Sequence, residues 1–248
     1  MPEEKSFFEK YYLFLFFLVF LTIDCWLLYH RQYASRKFIK PLLVPTLLLW
    51  FMSNTAFNVR SSPDTLTARL SLYAIFTFTF VADICGLTGD AFVWNAAMML
   101  YSLSSVICLG ILISIQKNVT KEKKFAIRIT NALPSLVIIG IFAALYIHKV
   151  FELDLNLYYY WLCVYAFILS LLAGLTTNMW SLPVLKDIRP LFFLSISFLI
   201  VTQAIYGIDE VIYHRRHPIL DVIVAISNAF SQIFLILGII KFLRLKKG

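Results

Sequence analysis

Apolar residues gather along this chain in eight long runs, at roughly 8 to 29, 39 to 58, 66 to 87, 91 to 115, 126 to 147, 155 to 179, 190 to 213 and 219 to 242. Crossing a hydrocarbon core of about 30 Å takes about 20 helical residues, so each run is long enough to span a bilayer. A helix also satisfies its own backbone hydrogen bonds where no water is at hand. The breaks carry helix punctuation: Lys40-Pro41 opens the second run, Ser62-Pro63-Asp64 precedes the third, Lys121 to Lys124 the fifth, and His217-Pro218 the eighth. The pattern predicts an all-α polytopic membrane protein. It is expected to be a bundle of about eight transmembrane helices in a single integral membrane domain, residues 1–248.

Composition agrees: 60% of the residues are hydrophobic and 15% charged, which excludes a water-soluble domain. A net charge of +8 raises the question of nucleic acid, but the basic residues sit in short loops and the C-terminal tail, where anionic headgroups meet them. No nucleic-acid partner is expected. Lys5, Lys10, Lys121, Lys123, Lys124, Lys241, Arg244, Lys246 and Lys247 would all fall on the side of the N-terminus. The positive-inside rule then predicts both termini in the cytoplasm. The N-terminus MPEEKSFFEK precedes a long run with no small-residue cleavage site, so a first span is expected there and not a removed signal peptide.

Candidate chemistry is sparse. Cys25, Cys85, Cys108 and Cys163 each fall inside a run without a CxxC spacing, and read as packing residues. His214 and His217 stand three apart, but Arg215 and Arg216 between them would repel a cation, so a turn contacting headgroups is expected. No metal and no cofactor is expected. GxSxG, HExxH, P-loop and dinucleotide glycine motifs are absent. The run Tyr158 to Trp161 reads as an interfacial anchor.

Ionisable groups within spans are costly unless they face a polar interior, so their depth marks a candidate site. With alternating helix directions, Asp24, Asp83, Asp90, Asp209, Glu210 and Asp221 all fall in the non-cytoplasmic half, together with Lys40 and all four histidines. A polar cavity open toward that side, or laterally to lipid, is predicted. Asp83, in the apolar stretch FTFVADICGL, is its strongest marker. Asp83 and Asp90 are seven apart, as are Gln203 and Glu210, a spacing that shares a helix face. For Asp24, Asp209, Glu210 and Asp221 a second reading stands beside the cavity, that of span-end residues reaching headgroups and water.

The sequence resembles the YhhN family of integral membrane proteins, whose characterised members are lysoplasmalogenases. Lys40-Pro41-Leu42 resembles the family's opening of the second span, and Phe78 to Asp83 its F-S-x-x-G-D motif, with the aspartate kept and the glycine replaced by Ala82. Trp94, Ala97, Tyr101 and Ser105 follow the spacing of its next motif, with Ser105 where the family has histidine. Ser195 to Gln203 is similar to G-A-x-x-F-x-x-S-D, which puts Gln203 at a second aspartate position. Asn228 to Gln232 resembles Y-x-x-A-Q and keeps the glutamine, Gln232.

The resemblance implies hydrolysis of the vinyl-ether bond of a lysoplasmalogen or related ether lysolipid, with a membrane lipid or lysolipid as partner. Such chemistry suits an acid that protonates the enol-ether carbon and a carboxylate that steadies the resulting cation. The expected catalytic residues are Asp83 with Asp209 or Glu210. Lys40, Asp90, Tyr101, Ser105, Gln203 and Gln232 are expected to bind substrate. Glutamine at 203 neither transfers a proton nor carries charge, which raises the alternative of a non-catalytic lipid- or amphiphile-binding protein of the same fold. A small transporter is a third reading, without the internal repeat such a protein usually carries.

Overall fold

The computed structural model describes residues 7–55, 63–88, 91–120, 137, 139–141, 157–208 and 217–245. Seven long helices account for nearly all of them: α1 (Phe7–Tyr29), α2 (Tyr33–Asn54), α3 (Pro63–Gly86), α4 (Ala91–Thr120), α5 (Leu157–Asn178), α6 (Arg189–Ile208) and α7 (Pro218–Leu245). No strand occurs among the described residues. Six of the seven, all but α2, are long and apolar enough to cross a membrane. The chain is therefore a multi-pass helical membrane protein. The run expected at 126 to 147 lies almost wholly outside the described residues.

α2 departs from the expectation. It begins at Tyr33 and not at 39, so Arg36, Lys37 and Lys40 are helical residues and Pro41 stands inside the helix with Pro45. Proline was expected to open this helix because its missing N–H costs nothing in a first turn. Inside a helix it leaves the carbonyl four residues earlier without a donor and kinks the axis, which a packed bundle tolerates. The three cations explain why α2 falls short of the apolar composition of the other six.

The helices close into a ring in chain order. Each packs against its sequence neighbours among these seven, and α7 returns to pack against α1 and, less extensively, α2. On α1, Leu15, Phe16, Val19, Ile23 and Trp26 are exposed on the outer side, while Phe17, Asp24 and Leu28 are buried. The apolar face points out to lipid and the face bearing the charge points in, as expected where the solvent is hydrocarbon.

Two close contacts fix the ring. The α1–α2 turn is a Schellman motif: Gln32 N donates to Leu27 O at 2.8 Å, Arg31 N donates to Leu28 O at 3.0 Å, and Arg31 takes the left-handed conformation at φ 56°. Between α6 and α7, a Cβ added at Gly238 would lie 3.1 Å from ring atoms of Phe192, which is fully buried. Between α4 and α5, Gln116 Nε2 donates to Leu175 O at 2.9 Å and Asn178 Nδ2 to Gln116 Oε1 at 3.0 Å, pinning the two helices together.

Candidate functional site

The ring encloses a cavity of about 310 Å³ to which all seven helices contribute. Along α4 its lining runs from Trp94 to Cys108, about 21 Å at the helical rise, so it is a deep shaft. Its layers differ in chemistry. Asp24, Tyr33, Arg36, Lys37, Tyr206 and Asp221 line the end where α1 finishes and α2 and α7 begin. One turn further in come Lys40, Asp83 and Gln203. Val44, Ile75, Cys108, Ile196 and Leu235 line the far end.

Asp83 is the centre of the middle layer. Its Oδ1 accepts a hydrogen bond from Tyr101 Oη at 2.6 Å and lies 2.9 Å from Lys40 Nζ. Among the described residues nothing donates to Oδ2. The Asp83 side chain is 6% exposed and that of Lys40 is 20% exposed. A carboxyl group this deep persists because a cation and a phenol from two other helices hold it. Both donors fall on one oxygen, which leaves the other as the position for a proton or a ligand.

A second ion pair lies one turn away. Arg36 Nε and Nη2 donate to the two oxygens of Asp24 at 2.8 and 3.3 Å, and the Asp24 side chain is 1% exposed. Tyr33 Oη donates to Asp221 Oδ2 at 3.4 Å across the α2–α7 boundary. Trp94 and Tyr206 form a ring pair with centroids 5.8 Å apart on the opposite wall.

Four of the lining hydroxyls are hydrogen-bonded within the protein. Ser195 Oγ donates to Ser231 O at 2.9 Å, Thr202 Oγ1 to Phe198 O at 2.8 Å, and Thr79 and Ser104 bond each other at 3.2 Å.

Of the residues singled out in the sequence, Asp83, Lys40, Tyr101, Ser105, Gln203 and Gln232 line this one cavity. Asp90, Asp209 and Glu210 lie outside the described residues. Asp24 and Asp221 bring two further carboxylates into the lining, where the sequence left open whether they merely ended spans. Arg36 and Lys37 were missed. Their signal was the four-residue step from Arg36 to Lys40, which places both on one face only if α2 starts before Arg36. No cluster of three or more potential metal ligands occurs among the described residues.

Comparison with models of protein families, with curated proteins and with solved structures finds no match for this chain. The geometry of the cavity is therefore what a functional reading must be built on.

Proposed function

We propose that this protein is an intramembrane hydrolase of vinyl-ether lysolipids in which Asp83 handles the proton. One observation carries the reading: Lys40 and Tyr101 converge on Oδ1 of a buried Asp83 whose Oδ2 is left for chemistry. Asp83, ion-paired with Lys40 at rest, first takes up a proton on Oδ2; that proton passes to the β-carbon of the enol ether, and the double bond becomes an oxocarbenium ion. The charge left on Asp83 is held by the ammonium and phenol already in place. Water, oriented by the Gln203 amide, attacks the cation and returns a proton to Asp83. The hemiacetal then collapses to an aldehyde and a free glycerol hydroxyl, with one water consumed and no redox partner. In this scheme Asp83 serves as acid and then as base, so a glutamine at 203 is compatible with turnover.

Eight spans, with both termini in the cytoplasm, belong to the same proposal. The test of the chemistry is aldehyde release from a lysoplasmalogen by purified protein in detergent. Asp83→Asn keeps the shape and should lower the rate by about 10²–10⁴-fold. Unchanged turnover in that variant would remove Asp83 from the mechanism.

Gln203 supports a second reading, a binder of the same lipid without turnover, because it lines the cavity at the position the resemblance gives to a second aspartate. In that case the native chain binds lysolipid and releases no aldehyde, and Gln203→Asp is the variant to assay for its return.

A further inference from the structure

The cavity lining carries three cations from α2, and they are not equivalent. Lys40 is engaged by Asp83, and Arg36 by Asp24. Lys37 is exposed, lines the same cavity, and has no carboxylate partner among the described residues. Arg36 is also only half used. Asp24 occupies the edge formed by Nε and Nη2, which leaves Nη1 without a hydrogen bond among the described residues although the side chain is only 15% exposed. A guanidinium locked on one edge by a buried carboxylate holds its other edge in a fixed direction, ready for a second oxyanion.

We propose that Lys37 and the outer edge of Arg36 form a phosphate subsite at the mouth of the cavity, and that it holds the phosphate ester of a single-chain lipid there, with the chain running toward the far end. The layers support this polarity. Lys37 and Arg36 lie about one turn, roughly 5 Å, above Lys40 on the same helix, and Lys40 reaches across to Asp83 of α3. A phosphate at the mouth therefore brings the atoms next to the glycerol to the level of Asp83, and the alkyl chain meets the apolar far end. Phosphate is favoured over carboxylate because two donors from separate side chains spread over several oxygens.

This inference rests on the reading of the cavity as a lysolipid site and adds the part of the ligand that fixes its direction. The test is equilibrium binding to the full chain in a micelle of uncharged detergent. Three probes are compared: lysophosphatidate, the monoacylglycerol of the same chain length, and glycerol 3-phosphate. Lysophosphatidate should bind at least about tenfold more tightly than monoacylglycerol. Lys37→Glu should abolish that preference and Lys37→Arg should keep it.

Binding of glycerol 3-phosphate as tight as that of lysophosphatidate supports the phosphate site and makes soluble phosphate esters its source. Weak binding of glycerol 3-phosphate supports the lipid source. Equal affinity for the two lipids, or a preference that survives Lys37→Glu, overturns the proposal. Lysophosphatidate has no vinyl ether, so the result stands apart from turnover. A phosphate preference without aldehyde release from lysoplasmalogen sinks only the catalytic reading, and aldehyde release without a phosphate preference sinks only this one.

Discussion

Arg36 and Lys40 stand one turn apart on α2, and each grips an aspartate on a different neighbouring helix, Asp24 of α1 and Asp83 of α3. A helix that carries its own cations to two buried acids ties three walls of the cavity together by charge as well as by packing. The helix least suited to lipid by composition is thus the one around which the polar interior is assembled.

The Lys40–Asp83 pair should behave as a unit in a mutant cycle. Lys40→Met strands a buried carboxylate and Asp83→Asn a largely buried ammonium, each costing about 3 kcal/mol. Lys40→Met with Asp83→Asn should recover much of that loss. The apparent melting temperature in detergent reads this, and additive losses would show that the two charges do not interact.

Tyr101→Phe removes one of the two donors to Asp83 Oδ1 and nothing else. A hydrogen bond to a charged group is worth about 1.5–3 kcal/mol, so turnover should fall about 10- to 100-fold. KM should stay near its original value, because the phenol acts on Asp83 and not on the lipid. A purely raised KM in steady-state aldehyde release would reassign Tyr101 to binding.

Gly238→Ala should loosen the α6–α7 contact. The added methyl meets the Phe192 ring at 3.1 Å, and overpacking of this kind costs about 1–3 kcal/mol. Phe192→Leu in the same chain should restore part of the melting temperature by making room, and failure to do so would place the strain elsewhere.

Arg31→Gly should stabilise the α1–α2 turn. A side chain in the left-handed region costs about 1–2 kcal/mol that glycine avoids, offset in part by the greater freedom of glycine in the unfolded chain. The melting temperature should rise slightly with turnover unchanged. A fall would mean that the Arg31 side chain contributes more than its backbone costs.

Membrane orientation is open to a direct check. A reporter active only in the cytoplasm, fused after Gly248, should be active, and one that works only on the far side should be silent. The reverse result would overturn the orientation and the even number of spans together.

How far the site was legible depended on what each residue costs in lipid. Asp83 stood out because a carboxylate in FTFVADICGL has no inexpensive exposed alternative, and Lys40 drew attention through the Lys40-Pro41-Leu42 resemblance. Asp24 was ambiguous because it lies near a span end, and sequence does not say whether a side chain there turns outward to headgroups or inward to Arg36. Arg36 and Lys37 were hidden by Pro41: proline is a good helix starter, so the helix seemed to begin after them. The ring closure of α7 on α1 had no local signature, since it follows from packing at a distance along the chain.

Asp24 pairs with Arg36 across only twelve residues. Both partners belong to adjacent helices joined by the tight turn at Arg31, so this salt bridge needs no residue beyond α2. Within that hairpin the two charges cancel each other. Lys40, by contrast, has its partner, Asp83, on α3. The two ion pairs of α2 thus differ in what they require of the chain: one is closed within the first two helices, the other only by the third.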